Sequence, residues 1–169
     1  MPAANIRAAI AAFLSAPPIT GMTKVYKGEP FFVDAAEWNL AATGGWGAVG
    51  FVWIDDESES RVTLPALTGS KAVEYQAMLA VMYRWQRQSN DVTLGDYDAW
   101  IAPLDTIIDA VKTRLRSDPT LGSPGVIFEA AQGHNDLRVR WDPPMLSAGA
   151  GIVNCLAAVD FKVTEIVTA

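Results

Sequence analysis

One face of the stretch from Val73 to Trp85 is apolar without a break. All of its odd-numbered residues are hydrophobic or aromatic: Val73, Tyr75, Ala77, Leu79, Val81, Tyr83 and Trp85. A period of two residues is typical of a strand with one buried face, and this stretch would span about 43 Å, more than twice the usual strand length. A helix is the alternative, because Met78, Leu79 and Met82 also fit helical spacing and Ala, Met and Leu favour helices. The unbroken alternation favours the strand.

A second alternating stretch closes the chain. Its apolar members are Val153, Cys155, Ala157, Val159, Phe161 and Val163. The residues between them include Asn154, Asp160, Lys162 and Thr164, which suit a face nearer to water. We expect these two long strands to form the centre of one sheet.

Two helices are predicted. The first runs from Asn5 to Leu14 and ends before a Pro-Pro pair, and its apolar face holds Ile6, Ile10, Phe13 and Leu14. A secretory leader is the alternative for this segment, although its apolar block is short and mostly alanine. The second helix runs from Asp96 to Arg116, with an apolar stripe of Trp100, Ile101, Leu104, Ile107, Ile108, Val111 and Leu115. Pro103 places the start of its regular hydrogen bonding near that residue, and Asp118-Pro119 ends it.

A hairpin with an acidic tip is predicted ahead of the long strand. Val49, Phe51 and Trp53 alternate on one face of a strand from Ala48 to Asp55, and a return strand runs from Arg61 to Leu64. Between them lies the run Asp55-Asp56-Glu57-Ser58-Glu59. A calcium loop is the alternative for this run. The glycine and the ligand spacing of an EF-hand are missing, so a solvated turn is favoured.

Three shorter strands complete the predicted elements. They run from Lys24 to Lys27, from Val126 to Glu129 and from Leu137 to Trp141. The last two flank a polar turn, Gly133-His134-Asn135-Asp136. Because no repeat or linker interrupts the chain, we expect a single domain over residues 1–169.

Residues 34–50 form a predicted loop rich in glycine and tryptophan, called here the Gly/Trp loop. It holds Trp38, Gly44, Gly45, Trp46 and Gly47, and Phe31 precedes it. Glycines permit unusual backbone dihedral angles, and the tryptophans need a surface to pack on. That surface is either the loop's own protein core or a partner protein, and the sequence leaves both open. The loop lacks the spacing and the Lys-Ser/Thr ending of a phosphate-binding loop.

The composition of the chain is rich in apolar residues and acidic overall. Half of the residues are hydrophobic and 19% are charged, against about a quarter in an average domain. This is more apolar surface than a monomer needs to bury, so subunit contacts are expected. The formal net charge of −6 argues against a protein that grips duplex DNA, because such binding neutralises phosphates with Lys and Arg. No run of about 18 apolar residues is present, so a membrane span is not expected.

No constellation of reactive residues stands out. His134 is the single histidine and lies in a turn-like run, and no Gly-x-Ser-x-Gly motif is present. One histidine and one cysteine are too few for the usual zinc site, and Cys155 lies in an apolar strand where a buried, inert thiol is expected. Paired-carboxylate hydrolysis stays open because acidic residues are plentiful. We expect a protein that is not an enzyme and that holds no cofactor or metal.

The order of the elements and three segments of the chain resemble a known family. The second helix ends in Arg-Leu-Arg-Ser-Asp-Pro-Thr-Leu-Gly from Arg114, a Val-Ile-Phe-Glu-Ala strand follows from Val126, and Ala-Val-Asp-Phe-Lys-Val-Thr-Glu-Ile-Val comes last, from Ala158. In these features the chain is similar to the tail terminator (tail-completion) proteins of long-tailed, non-contractile bacteriophages (siphophages), especially those of actinobacterial hosts. The resemblance covers nearly the whole chain in element order. The Gly/Trp loop and the acidic hairpin are longer than in minimal members of that family.

The resemblance implies both a fold and a function. The fold is α/β (α+β), with a mixed, largely antiparallel sheet of long strands flanked by two main helices. Members of the family form a hexameric ring that caps the tail tube, ends its elongation and joins the tail to the head-completion (neck) protein. Genomic DNA passes through the ring without sequence recognition, which an acidic protein permits. The expected location is the virion, at the tail–neck junction, after assembly in the cytoplasm of the bacterial host.

The contact between subunits is expected on edge strands and protruding loops. The candidate interface residues are Phe31, Trp38, Trp46, Asp55, Asp56, Glu57, Arg84 and Arg87. Two other functions stay open. The chain could be another neck or tail component, such as a head–tail connector or tube subunit, or a monomeric module that binds a ligand through Trp38 and Trp46.

Overall fold

Three strands of 16 residues each form the frame of the molecule: β2 (Trp46–Arg61), β3 (Lys71–Gln86) and β7 (Ile152–Val167). The structure is a computed structural model that describes residues 3–38, 45–61, 71–86, 97–123, 126–128, 137–147 and 151–167. β3 pairs with β2 on one side and with β7 on the other, antiparallel in both cases. The strand predicted from Val73 to Trp85 is therefore confirmed, and the helix alternative is wrong. The predicted pairing of the two alternating strands at the sheet centre is also confirmed.

Four short strands complete the sheet: β1 (Met22–Tyr26), β4 (Val126–Phe128), β5 (Arg138–Trp141) and β6 (Met145–Ser147). β1 pairs with β2 in parallel and forms one edge. β4, β5 and β6 all pair antiparallel with successive parts of β7 and form the opposite edge. The sheet order is thus β1-β2-β3-β7-β4, with β5 and β6 also on β7. The turn predicted between β4 and β5, at residues 133–136, lies outside the described residues.

β2 differs from its prediction at both ends. The strand begins at Trp46, two residues ahead of its predicted start at Ala48, so this end of the predicted Gly/Trp loop belongs to the strand. The acidic run is not a hairpin tip either, because Asp56 to Arg61 pair residue by residue with Gln76 to Lys71 of β3. Acidic residues disfavour strands in general, but here the long partner supplies backbone hydrogen bonds, and Lys71 forms an ion pair with Glu59 at 2.7 Å. The rest of the predicted return strand, residues 62–64, lies outside the described residues.

Both helices, α1 (Ala3–Ser15) and α2 (Tyr97–Arg116), pack on the same face of the sheet. Their buried side chains join the odd-numbered residues of β3 and β7 in one apolar core: Ile6, Ile10, Leu14, Leu104, Ile107, Ile108, Val111 and Leu115 come from the helices. Arg114 ties the helices together, since its guanidinium donates to the Phe13 carbonyl at 3.2 Å and lies over the Phe13 ring. Both predicted helices are confirmed, although α2 begins at Tyr97, ahead of Pro103. The α+β class with a mixed, mostly antiparallel sheet and two helices is confirmed as well.

Gly21 links α1 to the sheet at a point where no side chain fits. Its φ is +85°, and a Cβ atom there would lie 2.4 Å from the indole of Trp46. Its carbonyl also accepts a hydrogen bond from the Ala48 N–H at 3.0 Å. Position 21 therefore requires glycine for its backbone angle and for its space.

Replacing Gly21 with alanine is expected to lower the free energy of unfolding by about 2–4 kcal/mol, because backbone strain adds to overpacking against Trp46. Urea unfolding followed by tryptophan fluorescence measures the change. Gly28→Ala is the matched control, since a Cβ there meets nothing within 4 Å, and a change below about 0.5 kcal/mol is expected. Equal losses in the two variants would contradict the packing of Gly21 on Trp46.

Candidate assembly surface

The sheet face opposite the helices, called here the open face, has a band across its middle that is apolar on β2 and β3 and charged toward β5. Two neighbouring rows cross β2, β3, β7 and β5: Trp53, Met78, Asp160 and Arg138 in one, and Phe51, Ala80, Ala158 and Arg140 in the other. Met82 and Leu156 follow in the next row. The Trp53 side chain is 41% exposed, and Met78, Met82 and Leu156 are half-buried. Neither helix covers this band.

A 3₁₀ turn (Ala35–Trp38) packs on one end of the open face. Trp38 is buried, and the Arg84 guanidinium lies 4.4 Å from the centre of its ring. Arg84 also donates from Nε to Asn154 Oδ1 at 2.9 Å, so the cation is held between the indole and the neighbouring strand. Arg84 therefore serves the packing of its own protomer.

Glu37 fastens this turn to β1. Its carboxylate forms an ion pair with Lys24 and accepts a hydrogen bond from the Tyr26 hydroxyl. The hydrogen bond from Lys24 is the main reason why the pKa of Glu37 is lowered, and the bond from Tyr26 adds to it. The pKa of Lys24 is raised, chiefly by the same hydrogen bond to Glu37. The segment between β1 and the turn is thus held at both of its ends.

The acidic run is divided between the two faces of the sheet. A β-bulge falls between Ile54 and Asp56, so Asp55 has no partner on β3. Asp55 and Asp56 line an open depression of about 550 Å³ on the open face, together with Gln76, Arg138, Arg140, Asp160 and Lys162. Glu57 pairs with Tyr75 instead and belongs to the helix-covered face. The predicted acidic cluster is therefore not one surface.

Charges of both signs meet in that depression. Arg140 donates to Asp160 in a bidentate pair at 2.7 and 2.9 Å, and its guanidinium also reaches the Met78 sulfur at 3.4 Å. The pKa of Arg140 is raised, first by its hydrogen bond to Asp160. Because Arg140 and Asp160 pair with each other and the other charged residues of the lining are two acidic and two basic, this surface is a polar patch with no strong preference for one sign of charge.

Of the eight predicted interface residues, Arg84 packs within its own protomer as described above, and the other seven fall into three groups. Phe31 is fully exposed, at 108% of its reference area, and Asp55, Asp56 and Glu57 are exposed on β2, so an interface role stays a prediction for these four. Arg87 lies outside the described residues. Trp38 is buried, and Trp46 packs on the core with its ring centre 6.4 Å from that of Tyr83. For these two tryptophans the structure supports the alternative that the segment folds onto its own protomer.

Four exposed apolar residues were missed by the sequence patterns: Phe32 (74% exposed), Trp53, Trp141 (46%) and Met145 (68%). Trp53 alternates with Val49 and Phe51, and alternation predicts a shared face but not whether another element covers it. The Phe31-Phe32 pair gave no signal of exposure, because phenylalanine is among the residue types most often buried.

An apolar cavity, called here the edge pocket, opens between α2 and the edge formed by β5 and β6. Its volume is about 410 Å³, and its lining consists of Ile101, Leu104, Trp141, Asp142, Pro143, Pro144 and Cys155. Asp142 is the one charged residue among them. Cys155 is buried, and burial raises the pKa of its thiol to about 11. The predicted inert thiol is consistent with this environment.

Groups that could bind metal or cross a membrane are not found in the described ranges. No cluster of three or more His, Cys, Asp and Glu residues that could hold a metal ion occurs within them. Of the two described helices, neither is both long and apolar enough to cross a membrane. His134 lies outside the described residues.

The packing of Trp46 against the core gives a test of its role. Trp46→Ala is expected to lower the free energy of unfolding by about 2–4 kcal/mol, because the indole covers Gly21 and contacts the core. Phe31→Ala is the matched aromatic control, and its fully exposed ring predicts a change below about 0.5 kcal/mol. Chemical denaturation of both variants measures the difference. If the Trp46→Ala protein were as stable as the parent, Trp46 would not be part of the core, and an interface role would again be expected for it.

The raised pKa of Cys155 predicts slow thiol chemistry. With its pKa shifted from 9.0 to about 11, the thiolate fraction at pH 8 falls about 100-fold, so labelling by a disulfide reagent is expected to slow by at least that factor. The rate in the native protein is compared with the rate in concentrated guanidinium chloride. Similar rates in the two conditions would show that the thiol is accessible in the folded state.

Comparisons with known proteins assign the chain to no family. No protein-family model matches the chain, and a search of curated proteins finds no match. The surfaces described above are therefore the features from which a function is to be inferred.

Proposed function

We propose that this protein is a structural subunit of a bacteriophage tail, a tail terminator of the siphophage type. It forms a hexameric ring that caps the tail tube, ends tube elongation and joins the tail to the head-completion protein of the neck. DNA passes through the ring without sequence recognition. The protein acts in the virion, at the tail–neck junction, after assembly in the host cytoplasm.

The observation that carries this proposal is the distribution of exposed apolar side chains. Phe31 and Phe32 are exposed shortly after β1, which forms one edge of the sheet, and Trp141 is exposed on β5 at the opposite edge. Trp53 adds an exposed indole on the open face. Large apolar groups on several sides of one subunit are typical of proteins that bury them against partners. A subunit with apolar contacts at two opposite edges has what a closed ring requires.

The long sheet supports the same function. Strands of 16 residues extend for about 50 Å, and β3 is paired on both sides along its whole length. Such a sheet holds its two edges at a fixed separation and angle, which a ring of defined subunit number needs. The α+β fold with two helices also agrees with the architecture that the family resemblance implies.

The surroundings of the candidate ligand-binding and reactive side chains favour a role in assembly over ligand binding or catalysis. Trp38 and Trp46, on which a ligand-binding module would depend, pack within the protomer. In the described part of the chain, the depression lined by Asp55, Asp56 and Asp160 is open and contains a bidentate Arg140–Asp160 pair. The Cys155 thiol is buried, with a raised pKa. These features support a protein that is not an enzyme.

Negative-stain microscopy tests the function. The purified protein is imaged alone over a range of concentrations, and again after mixing with tail tubes from a long-tailed phage of an actinobacterial host. Hexameric rings, or a cap at one end of each tube, are the expected result. Long stacks or tubes formed by the protein itself would assign it to the tube subunits instead. Monomers in every sample would overturn the proposal.

A further inference from the structure

We propose that neighbouring copies of this chain join through an aromatic knob, Phe31 and Phe32, that enters the edge pocket of the next copy. This inference rests on the proposed ring function and deepens it, because it names the contact through which the subunits associate. The occupant of the pocket is a second copy of the chain. The observations that support it are the presentation of the knob, the lining of the pocket and the position of both in the sheet.

The knob is exposed and yet held in place. Phe31 and Phe32 have the two most exposed large apolar side chains of the described residues. They lie between β1, which is paired with β2, and the 3₁₀ turn, which Glu37 fastens to Lys24 and Tyr26. The N–H of Ala36 also donates to Asp34 Oδ1 at 2.9 Å, just after the knob. A segment fixed at both ends loses less conformational entropy on docking than a free loop would.

The edge pocket has the size and the chemistry to accept an aromatic side chain. Its volume of about 410 Å³ accommodates a phenyl ring, and Ile101, Leu104 and the two prolines offer it an apolar wall. Trp141 stands exposed at the pocket, where a phenyl ring can pack against the indole in a stacked or edge-to-face arrangement. Pro143 and Pro144 have no N–H groups, so docking an apolar ring leaves no backbone donor of theirs without a partner.

The sheet order makes the contact intermolecular. The knob follows β1 at one edge, whereas the pocket lies beside β5 at the opposite edge, about 19 Å away across the strands. A molecule therefore cannot fill its own pocket with its own knob. Because knob and pocket are different surfaces, the contact is head-to-tail and leaves one knob and one pocket free in every open chain. Addition of further subunits through such a contact ends only when a ring closes.

One exposed charge near the knob is opposite in sign to the charge at the pocket. Lys27 is exposed ahead of the knob, and Asp142 is exposed at the pocket. Pairs at the rim of an apolar contact orient the partners and raise the association rate more than the affinity.

Two complementary variants test the inference. The first lacks the knob (Phe31→Ser with Phe32→Ser), and the second places a carboxylate in the pocket (Pro144→Asp). Both changes fall on exposed positions outside the strands, so folded proteins are expected, and circular dichroism with urea unfolding checks this. Met145→Ser is the matched control, because Met145 is an exposed apolar residue of the same edge that does not line the pocket.

Self-association is measured by sedimentation velocity and mass photometry, alone and on tail tubes. Each variant by itself is expected to associate at least about 30-fold more weakly than the parent, as loss of a hot spot does, whereas Met145→Ser leaves association unchanged. An equimolar mixture of the two variants retains one intact knob and one intact pocket per pair, so it is expected to give 1:1 dimers and nothing larger.

The outcomes separate this inference from the ring function. Rings or tube caps formed by the knob-less variant, or a mixture that gives no dimers, would overturn the knob-and-pocket contact and leave the ring function standing. Head-to-tail association that depends on the knob but never caps a tube would support the contact and overturn the terminator function. A parent protein that stays monomeric in free solution and on tubes would overturn both.

Discussion

The antiparallel pairing of β3 with β7 is the constraint on which the rest of the structure depends. Lys71 to Gln86 pair without interruption with Val167 to Ile152, so the side chains of both strands alternate in phase along the whole length. One phase puts Leu79, Val81 and Val159 under the helices, where they are fully buried. The other phase forms the open face. Because a slip of one residue would exchange the two faces, the burial of the core fixes the position of every residue on the open face.

The sequence alone was sufficient for the elements whose own residues carry the signal. Alternation located β3 and β7 and their buried side chains, and helical spacing located α1 and α2. The acidic half of β2 could not be found in this way. Its residues enter a strand because β3 extends beside them, and no local pattern reports the length of a partner that is distant in sequence.

The candidate surfaces were predicted only in part, for a related reason. A sequence distinguishes apolar from polar residues, but it does not tell a tryptophan packed on its own protomer from one left for a partner. Trp46 is of the first kind because Gly21 leaves room for its indole, and this contact joins residues that no periodic pattern connects. Phe31 and Trp141 are exposed instead, and their exposure depends on which strands occupy the two edges of the sheet.

The β-bulge at Asp55 gives β2 a point at which the chain can change length without disturbing the sheet. Ile54 pairs with Ala77 and Asp56 with Gln76, so Asp55 is an extra residue between two consecutive pairs. A chain without it would keep all other partners of β2 and β3, and the side chains on both sides of that point would keep their faces. A chain with another residue there would only enlarge the bulge. Position 55 is thus a natural place for insertion or deletion, because elsewhere in β2 a single added residue either moves the following side chains to the opposite face of the sheet or requires a new bulge.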